Sequence, residues 1–308
     1  MTTETQLTMV VATAEGLYVL DGQEDVRIDE LAGREVRALA RGDAGWWAIV
    51  AGRELWRSAD GRAWTPLAKV PGAKATCLCA TSAGLLVGTA RAHLMRFEED
   101  RLAPVRAFDE AEGRDAWYTP WGAPADVRSI SGGPDGRLYV NVHVGGVVRS
   151  TDGGAEWRPT LDIEHDVHQV LAPASRPGLV LVAAFDGFGL SEDGGDTWRW
   201  ENEGLHAHYC RAVALADGIV FLSASAGHHG RRAALYRRPL DGAQPFERCR
   251  TGLPEWFAHN LDTDCLAARG HTVAIGTEDG SVFVSRDAGE RWELMAKGLA
   301  RVRAVALA

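Results

Sequence analysis

Apolar residues along the chain come in short runs of four to six, separated by clusters of Gly, Asp and Ser, with no helical spacing sustained between them. Met9-Val10-Val11-Ala12, Trp46-Trp47-Ala48-Ile49-Val50, Leu179-Val180-Leu181-Val182-Ala183 and Val273-Ala274-Ile275-Gly276 are examples, each bounded by turn residues. The pattern predicts an all-β chain of many short strands. One of the separators recurs: Ser150-Thr151-Asp152-Gly153-Gly154-Ala155-Glu156-Trp157 returns as Ser191 to Trp198 and Ser285 to Trp292, and one residue shorter as Ser58 to Trp64. In each copy the Ser and Asp oxygens are placed to accept from turn amides, Gly supplies a positive φ, and Trp anchors the turn.

The four serines lie 92, 41 and 94 residues apart, so each wide gap hides one degenerate repeat of roughly 46 residues. Every repeat opens with a similar strand, as in Glu35-Val36-Arg37-Ala38, Asp126-Val127-Arg128-Ser129, Asp166-Val167-His168-Gln169 and Cys210-Arg211-Ala212. The last residues, Arg301-Val302-Arg303-Ala304, form an opening strand with no repeat after it, whereas Thr8 to Ile28 is a repeat body lacking one. Each end supplies what the other lacks. The expected architecture is a single domain, residues 1–308: a seven-bladed β-propeller of four-stranded antiparallel blades whose C-terminal strand completes blade 1 and removes an open edge.

These repeats resemble the Asp-box, S-x-D-x-G-x-T-W, of BNR-repeat β-propellers, a superfamily that includes sialidases, sortilin-type receptors and photosystem II assembly factors. The resemblance covers almost the whole chain. It implies the fold and is nearly silent on activity, because the box is structural in all of them. Sialidases are six-bladed and carry a Phe/Tyr-Arg-Ile-Pro signature absent from this sequence. The assembly factors match in blade count and present arginines on one face to hold a protein partner.

In a propeller, the connection into the innermost strand and the turn between second and third strands emerge on one face. Nine of the ten histidines map to this top face: His93, His143, His165, His168, His206, His208, His228, His229 and His259, leaving His271 for the other. Equivalent offsets in the repeat place side chains at similar heights, so His143, His165, His168, His208 and His259 are the candidate ligands of a divalent transition metal. Asp166, Asp262 and Glu278 are the accompanying carboxylates and catalytic candidates. The competing reading is a set of exposed loop histidines. Arg37, Arg128, Arg211 and Arg303 share one opening-strand position and suit a ring that binds carboxylate or phosphate; alternatively, each pairs with a carboxylate of a neighbouring blade.

One connection is long. Asp109 to Pro124 carries Trp117, Tyr118 and Trp121 and is expected to fold over one end of the ring as a substrate-binding element. Two functions stay open. The first is an enzyme acting on a small anionic molecule in a His- and Arg-lined pocket. The second is a non-catalytic scaffold that binds a protein or peptide through the same face, with Trp256-Phe257 adding to its aromatics. A glycoside hydrolase built on a carboxylate pair from Asp115, Asp126, Asp166 and Asp262 is a third possibility.

Composition trims the list. A net charge of −9 argues against nucleic acid as partner. The N-terminal segment lacks a basic region followed by a long apolar stretch, which predicts a cytoplasmic protein without a membrane span. The five cysteines, Cys77, Cys79, Cys210, Cys249 and Cys265, have no metal-ligand spacing and read as small core residues.

Overall fold

The computed structural model describes residues 8–22 and 25–308. They form seven four-stranded antiparallel sheets, each paired in sequence order except the first. In that sheet the strand Val302–Leu307 pairs with Met9–Thr13, which is followed by Gly16–Leu20 and Asp25–Arg27. Val305 stands opposite Val11 and Leu307 opposite Met9, and the Ala308 amide donates to the Thr8 carbonyl at 2.8 Å. The ring therefore closes through its two ends, as the repeat arithmetic predicts.

The first strand of each sheet contacts the first strands of the sheets beside it, so seven strands surround the axis: Val302–Leu307, Val36–Gly42, Ala75–Thr81, Asp126–Gly132, Val167–Leu171, Tyr209–Ala216 and Leu266–Arg269. The core is divided accordingly. The described residues hold seven buried apolar clusters, one between each pair of neighbouring blades. Blades approach closely where side chains are smallest. A Cβ on Gly88 would lie 2.4 Å from Val127 Cγ1, and one on Gly276 would lie 2.3 Å from Val302 Cγ1. Four cysteines are buried in these interfaces, Cys79 is partly so, and all five are free thiols. Burial pushes the Cys79 thiol up to about 11 and the Cys249 thiol up to about 12.

The repeated turns have a common geometry that follows from their residues. In the copy beginning at Ser191, the buried Ser191 hydroxyl donates to Asp193 Oδ1 at 2.7 Å and accepts from the Gly195 amide at 2.8 Å. Asp193 Oδ1 also takes the amides of Asp196 and Thr197, and the Trp198 indole N–H donates to the carbonyls of Thr160 and Gly195. The copies at Ser58, Ser150 and Ser285 repeat the Ser Oγ to Gly amide bond at 2.8 Å and the Trp to Gly carbonyl bond. Each turn thus satisfies several of its backbone amides from its own Ser and Asp side chains. Replacing Ser191 with Ala would leave the Gly195 amide buried and unpaired, a cost of about 1–2 kcal/mol. Urea unfolding should show this as a lower midpoint, and an unchanged midpoint would contradict the role given to the hydroxyl.

The long connection after blade 3 is anchored before it reaches the surface. Phe108 is fully buried between blades 3 and 4, 5.1 Å from the Trp157 ring and 5.6 Å from that of Trp117. Tyr118 and Val144 then exchange backbone hydrogen bonds, which ties the segment to the second-to-third-strand turn of blade 4. Among the described residues, no helix is long and apolar enough to cross a membrane.

Candidate functional site

Each inner strand begins with an interruption of its pairing. Val36 lies opposite Val50 and Ala38 opposite Ile49, which leaves Arg37 between them without a partner residue. The same skip isolates Thr76, Arg128, His168 and Arg303, while blade 6 skips Arg211 with Ala212. In blade 7 the corresponding place, one before the residue whose carbonyl accepts the Gly276 amide, belongs to Asp264, whose backbone is left-handed at φ 66°. A bulge turns a side chain out of the pleat. Repeated around a ring, it delivers one side chain per blade to the axis.

Six of these seven residues line an axial cavity of about 290 Å³, together with Trp121, Asp126, His143, Asp262 and Arg301. The chain is acidic overall, yet five guanidinium groups face this space. Three of them are neutralised locally. Arg211 meets Asp262 at 2.6 Å, Arg301 meets Asp262 and Glu278 at 3.1 Å each, and Arg303 meets Glu35 at 2.9 Å. Arg37 and Arg128 make no ion pair or side-chain hydrogen bond among the described residues, and Arg128 Nη1 is buried without an acceptor. Burial, then the neighbouring Arg211 charge, push the Arg128 pKa down, with Asp166, Tyr209 and Asp262 pulling the other way. Two of the four arginines that share the opening-strand position, Arg211 and Arg303, are therefore paired with carboxylates of neighbouring blades, and the other two are not.

Asp264 is the acidic member of the ring. Burial raises its carboxyl to about 6, only partly countered by Arg37. The folded state consequently holds a proton there at pH values where the unfolded chain, titrating near 3.8, has released it. Stability from this group is present at low pH and is lost as pH rises toward 6, above which the cost of the buried charge is constant. Asp264→Asn should therefore be more stable than the parent at pH 8, with the difference shrinking between pH 6 and pH 4. Melting curves across that range test this, and a difference independent of pH would refute it. A carboxyl that changes protonation near neutrality beside unpaired guanidinium groups is also suited to give or take a proton from a bound anion.

The histidines divide. His143, Asp166 and His168 come together, with one ligand atom from each lying within 4.8 Å of the others. Burial works against the Asp166 carboxylate, but the two imidazoles outweigh it and hold its pKa well below the usual range. His165, His208 and His259 stand apart from this group. His165 pairs with Asp186 at 2.8 Å against the Trp200 ring, and His208 is solvent-exposed. His259 shares a side recess with His228, His229 and Glu278 that borders the axial cavity. His93 pairs with Asp109, His206 with the Tyr236 hydroxyl, and His271 with Asp217 at the first-to-second-strand turns of blades 7 and 6. Of the carboxylates considered for catalysis, Asp166 is held between imidazoles, whereas Asp262 and Glu278 are engaged by arginines.

Among the aromatics of the long connection, Trp121 lines the cavity with its ring 5.1 Å from His143. Tyr118 is exposed, and Trp117 is half-buried under Arg114. Phe257 is in the core, and Trp256 is covered by Arg232 and Arg248. Of the carboxylates that could form a glycosidase pair, Asp126 and Asp262 line the cavity and Asp115 does not. The sequence reading missed Thr76, Asp264 and Arg301. Aligning Cys265 with Cys77, each directly opposite the close-packed glycine of the next strand, would have exposed the first two.

No protein-family model and no curated protein matches this sequence. Solved structures are similar in fold. The structure of YCF48 bound to D1 peptide aligns with a TM-score of 0.61 at 13% identity, over 99% of this chain and 93% of that one. A GH74 xyloglucanase from Xanthomonas campestris aligns with 0.69 at 17%, over 96% of this chain and 53% of that one, so this chain spans about half the enzyme's length. A putative 6-phosphogluconolactonase from Bacteroides fragilis aligns with 0.64 at 11%, over 100% and 99%. At these identities the likeness is one of fold.

Proposed function

We propose that this propeller binds a small anionic molecule, bearing carboxylate or phosphate groups, in its axial cavity. The observation that carries the reading is Arg128: a guanidinium with a buried, unpaired Nη1 is costly in the absence of a counter-ion, and the cavity it faces is the place from which one can come. Arg37, also unpaired, supplies a second fork, and planar guanidinium groups hold carboxylate or phosphate through paired bonds. In this reading Asp264 is the proton donor or acceptor toward the bound anion, the role that an enzyme acting on such a molecule requires. Trp121 forms an apolar flank over the entrance.

The test is a thermal-shift and calorimetric titration with inorganic phosphate, citrate and a phosphorylated sugar at low ionic strength. At least one should stabilise the parent and bind with one-to-one stoichiometry, and Arg37→Gln or Arg128→Gln should weaken it by tenfold or more. If none stabilises the protein, or both variants respond as the parent does, the reading fails.

Peptide binding on the same face is the second reading. It is favoured by Trp121, Phe185 and Tyr118, exposed by 67%, 58% and 47% and carried by top-face connections. YCF48, a fold neighbour, is known bound to a peptide. A peptide ending in a free carboxylate would use Arg128 as well, so the two readings separate on Phe185→Ser, which weakens a peptide and leaves a small anion unaffected.

A further inference from the structure

We infer that His143, Asp166 and His168 bind a divalent transition-metal ion on the wall of the axial cavity. The tautomer of His168 is set by its surroundings: Nδ1 lies 2.5 Å from the Cys210 carbonyl, which can only accept, so Nδ1 carries the proton and the Nε2 lone pair is free. That arrangement, a backbone carbonyl holding one ring nitrogen so that the other can ligate, is the usual support of a metal-binding imidazole. The side chain is wholly buried, and its Nε2 has no hydrogen-bond partner. Asp166 presents its carboxylate from a left-handed backbone, φ 37°, with Oδ1 3.2 Å from His143 Nε2 and Oδ2 3.7 Å from His168 Nε2. Asp166 Oδ1 is also buried and lacks hydrogen-bond geometry to any donor.

Two buried acceptors in one cluster, His168 Nε2 and Asp166 Oδ1, that both lack a hydrogen-bond partner are expensive for a fold to keep. A cation between them satisfies both at once. Two imidazole nitrogens and one carboxylate oxygen form a ligand set suited to zinc, manganese, iron(II) or cobalt(II), with bonds of about 2.0–2.2 Å for zinc. The three atoms lie within 4.8 Å of one another, and bonds of about 2.1 Å in tetrahedral geometry would bring them to about 3.4 Å apart. His143, alone of the three, lines the cavity that Arg128 also lines, so an ion held there would border the space proposed for the anion. The site does not depend on the anion reading, because neither Arg37 nor Arg128 is a ligand or hydrogen-bonds to one, and Arg128 acts on Asp166 and His168 through its charge alone.

The experiment uses untagged full-length protein stripped with chelator and dialysed, then titrated with zinc, manganese and cobalt chloride by calorimetry, with cobalt followed by its visible ligand-field bands. One equivalent should bind, raise the melting temperature and be removed by chelator. Asp166→Asn and His143→Gln should each weaken binding by at least about 100-fold, the upper end of what losing even a supporting partner costs. His168→Ala should do the same if it folds. His259→Ala, in the neighbouring recess, should retain one equivalent. Arg128→Gln should lose anion stabilisation yet keep the metal, which separates failure of this site from failure of the anion reading. Absence of a stoichiometric site in the parent, or a site abolished by His259→Ala and spared by Asp166→Asn, would overturn the inference.

Discussion

Replacing Arg128 with methionine should make the protein more stable in anion-free buffer, by about 1–3 kcal/mol, the penalty of a buried polar group left unsatisfied. At roughly 2 °C per kcal/mol for a chain of this length, that is a rise in melting temperature of about 2–6 °C. Methionine keeps much of the packing volume of the arginine stem, so a cavity does not offset the gain. The neighbouring Arg211 charge adds to the expectation, since removing Arg128 removes a like-charge contact. The same substitution at Arg211 should act in the opposite direction. Arg211 is bonded to Asp262 and to the Tyr209 hydroxyl, and its loss removes the donor to Tyr209 and leaves Asp262 with Arg301 alone. One residue type at one ring position in different blades thus gives opposite signs, decided by whether a carboxylate is within reach. Wild-type protein should overtake the Arg128→Met variant once a binding anion is added, because a ligand at 100 times its dissociation constant contributes about 2.7 kcal/mol. Parallel melting curves with and without phosphate or citrate check all three statements. A variant that melts below the parent without anion would mean that Arg128 is part of the scaffold.

That contrast also shows where the sequence stops being informative. The turn at Ser191 to Trp198 is legible because its bonds close within eight residues, and ring closure is legible because Val302-Arg303-Ala304 repeats the wording of Val36-Arg37-Ala38. The shared position of Arg37, Arg128, Arg211 and Arg303 follows from the same repetition. Which of these arginines are paired does not, since Asp262 and Glu35 reach them from neighbouring blades and no periodicity encodes that approach. The histidines make the same point. Equal offsets fix height and radius but not the direction a loop side chain takes. His165 ends a short 3-10 turn, Ile163–His165, that turns it to Asp186, whereas Asp166, next in the chain, faces His143 and His168. Asp264 lay outside the sequence reading because its significance comes from its surroundings in the folded ring, where among the described residues it has no arginine partner of the kind that Asp262 has in Arg211 and Arg301.

Removing residues 300–308 should abolish folding of the monomer. The strand Val302–Leu307 buries Val302, Ala304, Val305 and Leu307. The three larger side chains alone contribute on the order of 5–9 kcal/mol of apolar burial. Domains are stable by only about 5–15 kcal/mol, so this loss is comparable to the whole margin. The truncation also converts Met9–Thr13, in which every residue is buried, into an unprotected apolar edge, a template for aggregation. The site disappears with the fold's closure, because Arg301 and Arg303 ride on the missing segment and line the cavity. Supplying residues 300–308 as a separate peptide should restore monomeric, cooperatively melting protein, since main-chain pairing to an exposed strand edge is a general mode of peptide capture. Size-exclusion chromatography and circular dichroism, with and without the peptide, are the measurements. A truncated chain that stays monomeric and melts within a few degrees of the full-length protein would show that the first blade holds without its fourth strand. Arrival of the last strand would then not be what assembles the cavity.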